Sequence, residues 1–109
     1  IDDALNTWCE QLIKAMKTQG YNILLLTGRD EKYRDLTYRW LEKYEVPYDA
    51  LFMRSENNLQ KDDLVKNEIY EKEMAPYHQV LFVVEDRQSV VKMWRSKGLV
   101  CLQCDWGDF

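Results

Sequence analysis

Apolar positions along this chain alternate between helical spacing and short continuous runs. Ala4, Leu5, Trp8, Leu12, Ile13 and Met16 recur at helical intervals and predict a helix over 2–18. Asp2 and Asp3 suit its N-terminus, while Lys14, Lys17 and Gly20 suit its end. The run over 22–27, Asn22 to Thr27, reads as a strand buried on both faces. A second helix is expected over 31–44, with Tyr33, Leu36, Trp40 and Leu41 on one side and Val46-Pro47 ending it. Ala50 to Met53 is a short strand, and 61–73 is a third helix stopping before Pro76. Gln79 to Val84 is the strongest strand signal, 87–97 a fourth helix closed by Lys97-Gly98, and Leu99 to Leu102 the last strand.

Strand–helix–strand alternation predicts an α/β fold with a parallel sheet. Ligand sites in such sheets lie at the carboxyl ends of strands. The residues after Leu26 and after Val84 are therefore the ones to inspect.

Composition changes this picture little. A length of 109 residues allows one small domain, and 46% hydrophobic with 31% charged residues is the balance of a soluble globular chain. No apolar run approaches the ~20 residues of a membrane span. The chain opens on Ile1 with no basic or apolar leader, so no signal peptide is expected and a segment upstream is. A net charge of −4 argues against a broad electrostatic grip on nucleic acid, but not against an enzyme that holds one phosphate locally. Three cysteines, Cys9, Cys101 and Cys104, make no disulfide framework, and a cytoplasmic location is the expectation. Cys101 and Cys104 have zinc-like spacing, but His78 is the lone histidine, so two cysteines on or just after a strand is the preferred reading.

Chemistry concentrates at three places. Thr27-Gly28-Arg29-Asp30 offers a hydroxyl, backbone N–H groups and a guanidinium at a strand end, a suitable seat for a phosphoryl oxygen. A plain capped turn is the simpler alternative. Glu85-Asp86-Arg87 leaves the strongest strand with two adjacent carboxylates, hard oxygen ligands of the kind that suit Mg²⁺. The alternative there is helix capping by Asp86. In Lys61-Asp62-Asp63-Leu64-Val65-Lys66, Asp62 and Lys66 stand four apart and can pair on one helix face. Taken alone, that spacing reads as a surface ion pair.

The order of these features resembles the haloacid-dehalogenase-like phosphatases. Leu24 to Arg29 is similar to their second motif, Lys66 to their third-motif lysine, and Val83-Val84-Glu85-Asp86 to their fourth-motif acids. Arg39-Trp40, Ala75-Pro76, Glu85 to Val91, Met93-Trp94-Arg95 and Gly107-Asp108-Phe109 narrow the resemblance. They resemble the phosphatase domain of the bacteriophage-type polynucleotide kinase/3′-phosphatase family, with the match strongest in the last third of the chain.

The resemblance implies a three-layer, Rossmann-like domain of which residues 1–109 form the C-terminal part. It implies hydrolysis of 3′-phosphate ends of DNA or RNA through an aspartyl-phosphate, with Mg²⁺. Thr27, Gly28 and Arg29 would bind the phosphate; Arg87 and Arg95 would either steer the polynucleotide or be solvated helix residues. Lys66, positioned by Asp62, would neutralise charge on the phosphoryl group. Glu85 and Asp86 would hold Mg²⁺ directly or through water. The loops after Leu26 and Val84 are expected to converge on one pocket, with Lys66 reaching in beside them.

The family's first motif, Asp-x-Asp-Gly-Thr on a central strand, does not occur in these residues; Asp2-Asp3 lacks its context. The nucleophile is therefore expected on an upstream segment, and the chain alone is expected to be inactive. Either that segment or a second copy is expected to cover the strand edges left unpaired. No phosphate-binding kinase loop occurs either, so a kinase domain would also lie upstream. Two competing readings remain: a phosphatase of the same fold acting on a small phosphometabolite, and a non-catalytic remnant that binds or assembles.

Overall fold

The computed structural model describes residues 7–107, and the expected start of the first helix lies outside them. The chain divides into two compact units, residues 1–58 and 59–109. Each is built around a parallel strand–helix–strand crossover, giving an α/β fold with parallel strands.

In the first unit, α1 spans Thr7–Thr18, β1 Leu24–Asp30, α2 Arg34–Lys43 and β2 Ala50–Arg54. A 3-10 turn, Glu31–Tyr33, replaces the first residues of the expected second helix. The Asp30 carboxylate caps that turn by accepting the Lys32 N–H at 2.9 Å. Leu24, Leu25 and Leu26 pair with Ala50, Leu51 and Phe52, so the apolar run becomes a ladder row. Beneath α2, Thr37 and Leu41 are buried, and Arg34 ties the helix to β2 by donating to the Leu51 carbonyl at 3.4 Å.

In the second unit, α3 spans Asp62–Ile69, β3 Val83–Arg87, α4 Gln88–Ser96 and β4 Cys101–Gly107. The expected third helix widens into a π turn at Tyr70–Met74, where the Ala75 N–H reaches back to the Tyr70 carbonyl at 2.8 Å just before Pro76. Its core is Val65, Ile69, Met74, Val90, Val91, Trp94 and Cys101. Val90 and Val91 are fully enclosed, and Tyr70 meets Trp94 edge-on at 5.4 Å. Burial also pushes the Cys101 thiol pKa upward.

Every strand runs past its expected end, and three strand starts differ from expectation, each for a local reason. The run from Gln79 is a ladder strand only from Val83, because its partner β4 begins opposite, at Cys101. Residues 79–82 have no ladder partner among the described residues. The start of β4 moves from Leu99 to Cys101 because Leu99 closes α4: its N–H bonds the Trp94 carbonyl at 3.3 Å while Gly98 bonds Arg95 at 3.0 Å. This is the Schellman closure, with Gly98 at φ +81°. The start of β1 moves from Asn22 to Leu24 for the same reason. Tyr21 bonds Met16 at 3.1 Å and Gly20 bonds Lys17 at 3.0 Å, ending α1.

Helix α2 ends in the same pattern, with Glu45 bonding Glu42 at 3.1 Å and Val46 bonding Leu41 at 3.0 Å. Its left-handed residue is Glu45, at φ 52°, where glycine would sit without strain. Val46, which follows it, is buried, as is Leu41, whose carbonyl it bonds. No helix among the described residues is long and apolar enough to cross a membrane.

Asp49 fastens the start of both strands of the first unit. Its carboxylate accepts Lys17 Nζ at 2.6 Å and the Ile23 N–H at 2.7 Å. Lys17 first, then the Ile23 N–H, holds its pKa below the usual carboxylate range. The N–H groups of Lys32 and then Asn57 do the same for Asp30.

Two outcomes are expected in denaturant unfolding of the protein that carries this chain. Glu45→Gly raises stability by about 0.5–1 kcal/mol by relieving the left-handed residue, whereas Gly98→Ala lowers it by about 1 kcal/mol. Depressed folded-state pKa values mean that Asp30 and Asp49 stabilise fully above the unfolded value near pH 4, and that this is lost as pH falls through the folded value. Stability followed from pH 6 downward should therefore fall less steeply in Asp49→Asn than in the parent; an identical acid profile would remove Asp49 from this role.

Candidate active site

In the first unit the predicted phosphate seat is a bulge. Thr27 pairs with Met53, but the next pair is Asp30 with Arg54, so Gly28 and Arg29 stand outside the ladder. The Gly28 carbonyl accepts Arg54 Nε at 2.7 Å, and Arg54 Nη1 also donates to the Asn58 carbonyl at 3.1 Å. Asp30 accepts the Asn57 N–H at 3.1 Å. These bonds tie both sides of the bulge to the segment after β2. Thr27 Oγ1 accepts the Arg29 N–H at 3.1 Å, which leaves its own proton to donate. The Arg29 guanidinium is half-buried and makes no hydrogen bond or ion pair among the described residues. Arg54 was not singled out in the sequence. Only the strand register makes it the partner of the bulge, although an arginine closing a short apolar strand was a usable signal.

In the second unit four charged side chains meet at the end of β3. Lys66 Nζ lies 3.1 Å from Glu85 Oε1 and 3.3 Å from Asp62 Oδ2. All three side chains are about nine-tenths buried, at 9%, 9% and 10% exposure. Arg87 Nη1 stands 3.7 Å from Asp62 Oδ2. Glu85 also accepts the Trp94 indole N–H at 3.5 Å and the Arg87 backbone N–H at 3.3 Å. Two carboxylates thus face two cations, and both Glu85 oxygens are engaged. The Asp62–Lys66 pair is not the solvated pair that spacing alone suggests. Val65 and Ile69 turn their helix face inward, and the adjacent Lys66 goes with them.

Successive side chains of a strand point to opposite faces. Glu85 is buried, whereas Asp86 is exposed, and its carboxylate makes no hydrogen bond or ion pair among the described residues. Its backbone carbonyl is fixed by Gln103 Nε2 at 3.2 Å. The two acids read from the sequence as one pair of ligands therefore have different surroundings. Asp86 has the chemistry of a direct ligand for a hard cation, while Glu85 is committed to Lys66. No group of three or more candidate ligand side chains occurs among the described residues.

Comparison with known proteins decides the family. The model of the polynucleotide kinase PNKP phosphatase domain family matches residues 1–109, the whole sequence. This chain belongs to that family. A protein of Autographa californica nuclear polyhedrosis virus, named as a bifunctional polynucleotide kinase/RNA ligase, is 32% identical over 75 residues. That match covers 68% of this chain and 11% of the viral protein. Two solved structures of a Pnkp1/Rnl/Hen1 complex, one titled an RNA repair complex, each contain a chain 42% identical to this one, with TM-scores of 0.95 and 0.96. They cover 98% and 99% of this chain but only 37% and 35% of their own. The chain thus spans about a tenth of the viral relative and just over a third of those structural relatives.

Removing one member of the buried cluster strands its partner. Lys66→Met should destabilise by about 3 kcal/mol, and adding Glu85→Gln should recover part of the loss. A double-mutant cycle by denaturant unfolding measures this; strictly additive losses would show that the two charges are not coupled.

Proposed function

We propose that this chain is the phosphate- and metal-holding part of a single polynucleotide 3′-phosphatase domain that removes 3′-phosphates during nucleic-acid end repair. The observation that carries the reading is the buried Lys66, clamped between Asp62 and Glu85, one residue from the exposed carboxylate of Asp86. A buried ammonium is costly unless acids answer its charge, and a cation fixed by two of them is what a transferring phosphoryl group needs. Family membership supplies the reaction class. The names of the relatives, a polynucleotide kinase/RNA ligase and an RNA repair complex, support RNA ends as substrate.

In this reading the nucleophilic aspartate and the general acid lie on a segment upstream of these residues. The aspartate attacks phosphorus, the bond to the 3′ oxygen breaks, and the acid protonates that oxygen; water then hydrolyses the acyl phosphate. Thr27 donates its hydroxyl proton to a phosphoryl oxygen, and Arg29 supplies a charge-assisted bond to the same group. Lys66 neutralises charge that develops on the phosphoryl oxygens, held in place by Asp62 and Glu85. Arg87 steers the polynucleotide from its place beside Asp62. Asp86 would hold Mg²⁺ with Glu85 beside it, and Mg²⁺, when bound, would supply Lewis-acid stabilisation of the same charge.

The test uses the full-length protein and a 3′-phosphorylated RNA oligonucleotide, with phosphate release as readout. Asp86→Asn should lower Mg²⁺-dependent turnover by more than about 100-fold, and Arg29→Ala should weaken transition-state binding by about 10²–10³. Unchanged turnover in Asp86→Asn would reject the metal role. An Arg29→Ala enzyme with the parent kcat/KM would remove Arg29 from the site.

A further inference from the structure

Helix α2 carries a segregated surface that the proposed chemistry does not use. With 100° per residue, Leu36, Arg39 and Lys43 of α2 fall along one line on the side opposite buried Thr37 and Leu41, and Lys32 precedes them in the 3-10 turn before the helix. All four are exposed, Leu36 at 50%. Tyr33, Trp40 and Tyr44 run alongside them on one flank, while Asp35 and Glu42 lie on the other. Cations and rings alternate here: Lys32 Nζ stands 5.3 Å from the centre of the Tyr33 ring, Lys43 Nζ stands 5.3 Å from that of Tyr44, and Trp40 lies 4.9 Å from Tyr44. Arg39 makes no hydrogen bond or ion pair among the described residues. The carboxylates nearest the start of the stripe are engaged, Asp30 by the N–H groups of Lys32 and Asn57, Glu31 by Arg34. In a chain of net charge −4, three cations in line with aromatic neighbours form a local exception.

The stripe begins three residues after Arg29, since β1 runs directly into the turn that starts α2. A row of cations beside stacking rings, leading away from a phosphate seat, fits a single-stranded nucleic acid: phosphates need the charges and unpaired bases need the rings. From this geometry we infer that the exposed face of α2 binds the single-stranded nucleotides preceding the 3′-phosphorylated end, with Lys32, Arg39 and Lys43 on successive phosphates and Tyr33 under a base. This rests on the phosphatase reading for the location of the end, and commits to nucleic acid over an acidic protein or a second copy of the chain.

The experiment measures binding of a fluorescein-labelled, 3′-phosphorylated oligouridylate to the full-length protein by anisotropy, over a range of salt. The variants are Lys32→Gln/Arg39→Gln/Lys43→Gln and, separately, Tyr33→Ala; all changed side chains are exposed. Loss of three phosphate contacts should reduce the slope of log Kd against log salt by about 2, at roughly 0.7 per contact on a single strand, and weaken low-salt binding about tenfold or more. Tyr33→Ala should weaken binding by about fivefold or more without changing the slope. The ratio of kcat/KM for the oligonucleotide to that for p-nitrophenyl phosphate should fall in the triple variant. An unchanged Kd and slope would overturn the inference. So would a change of oligomeric state in the triple variant with parental RNA binding, which would assign the face to a second copy. If the parent hydrolyses neither substrate, the phosphatase reading fails, while the anisotropy result still decides whether α2 holds RNA.

Discussion

Lys66 is the constraint on which the second unit depends. An ammonium group taken nine-tenths out of water costs several kcal/mol unless its charge is answered at short range. Asp62 answers it from one turn earlier on the same helix, and Glu85 from the neighbouring strand. Meeting both demands fixes the rotation of α3 and its distance from β3. Trp94 then serves twice, filling the core beside Tyr70 and offering its indole N–H to Glu85. Packing and polar satisfaction are thus solved by the same few residues, and a mobile lysine becomes a charge at a fixed point.

The first unit uses a different device for the same end. Its strand-end bulge is not held by a buried charge cluster but by side-chain bonds to the main chain, with Arg54 on the Gly28 carbonyl and Asp30 on the Asn57 N–H. Both units nevertheless share one motif. Thr27 accepts the N–H two residues on through its hydroxyl, and Glu85 does so through its carboxylate. At each strand end the side chain that closes the local turn also belongs to the proposed chemistry.

Much of this was legible in the sequence. The apolar runs marked the ladders, and Gly20 and Gly98 marked two helix ends because few other residues adopt a left-handed conformation without strain. The third end was marked by Val46-Pro47, but its left-handed residue was not legible, since nothing about Glu45 announces one. The paired acids were visible as chemistry but not as one buried and one exposed side chain. Their division follows from the phase of the strand, and the expected boundary at Val84 left that phase open. Burial of Lys66 was hidden for a related reason: spacing alone cannot tell an ion pair in water from one in a core. Arg54 could be noticed as an arginine closing an apolar strand, but its partner, the bulge at Gly28, follows only from the register of two strands far apart in sequence.

Two extra residues interrupt each ladder, Gly28 and Arg29 on β1 and their counterparts on β4 between Gln103 and Gly107. Rows of apolar partners end before these interruptions begin. Drift in the interrupted stretches can therefore redirect what the strand tips present while the hydrophobic rows behind them keep their alignment. An architecture of this kind separates inheritance of the scaffold from adjustment of its specificity, and relatives that differ in the ends they accept are expected to differ first in those few positions.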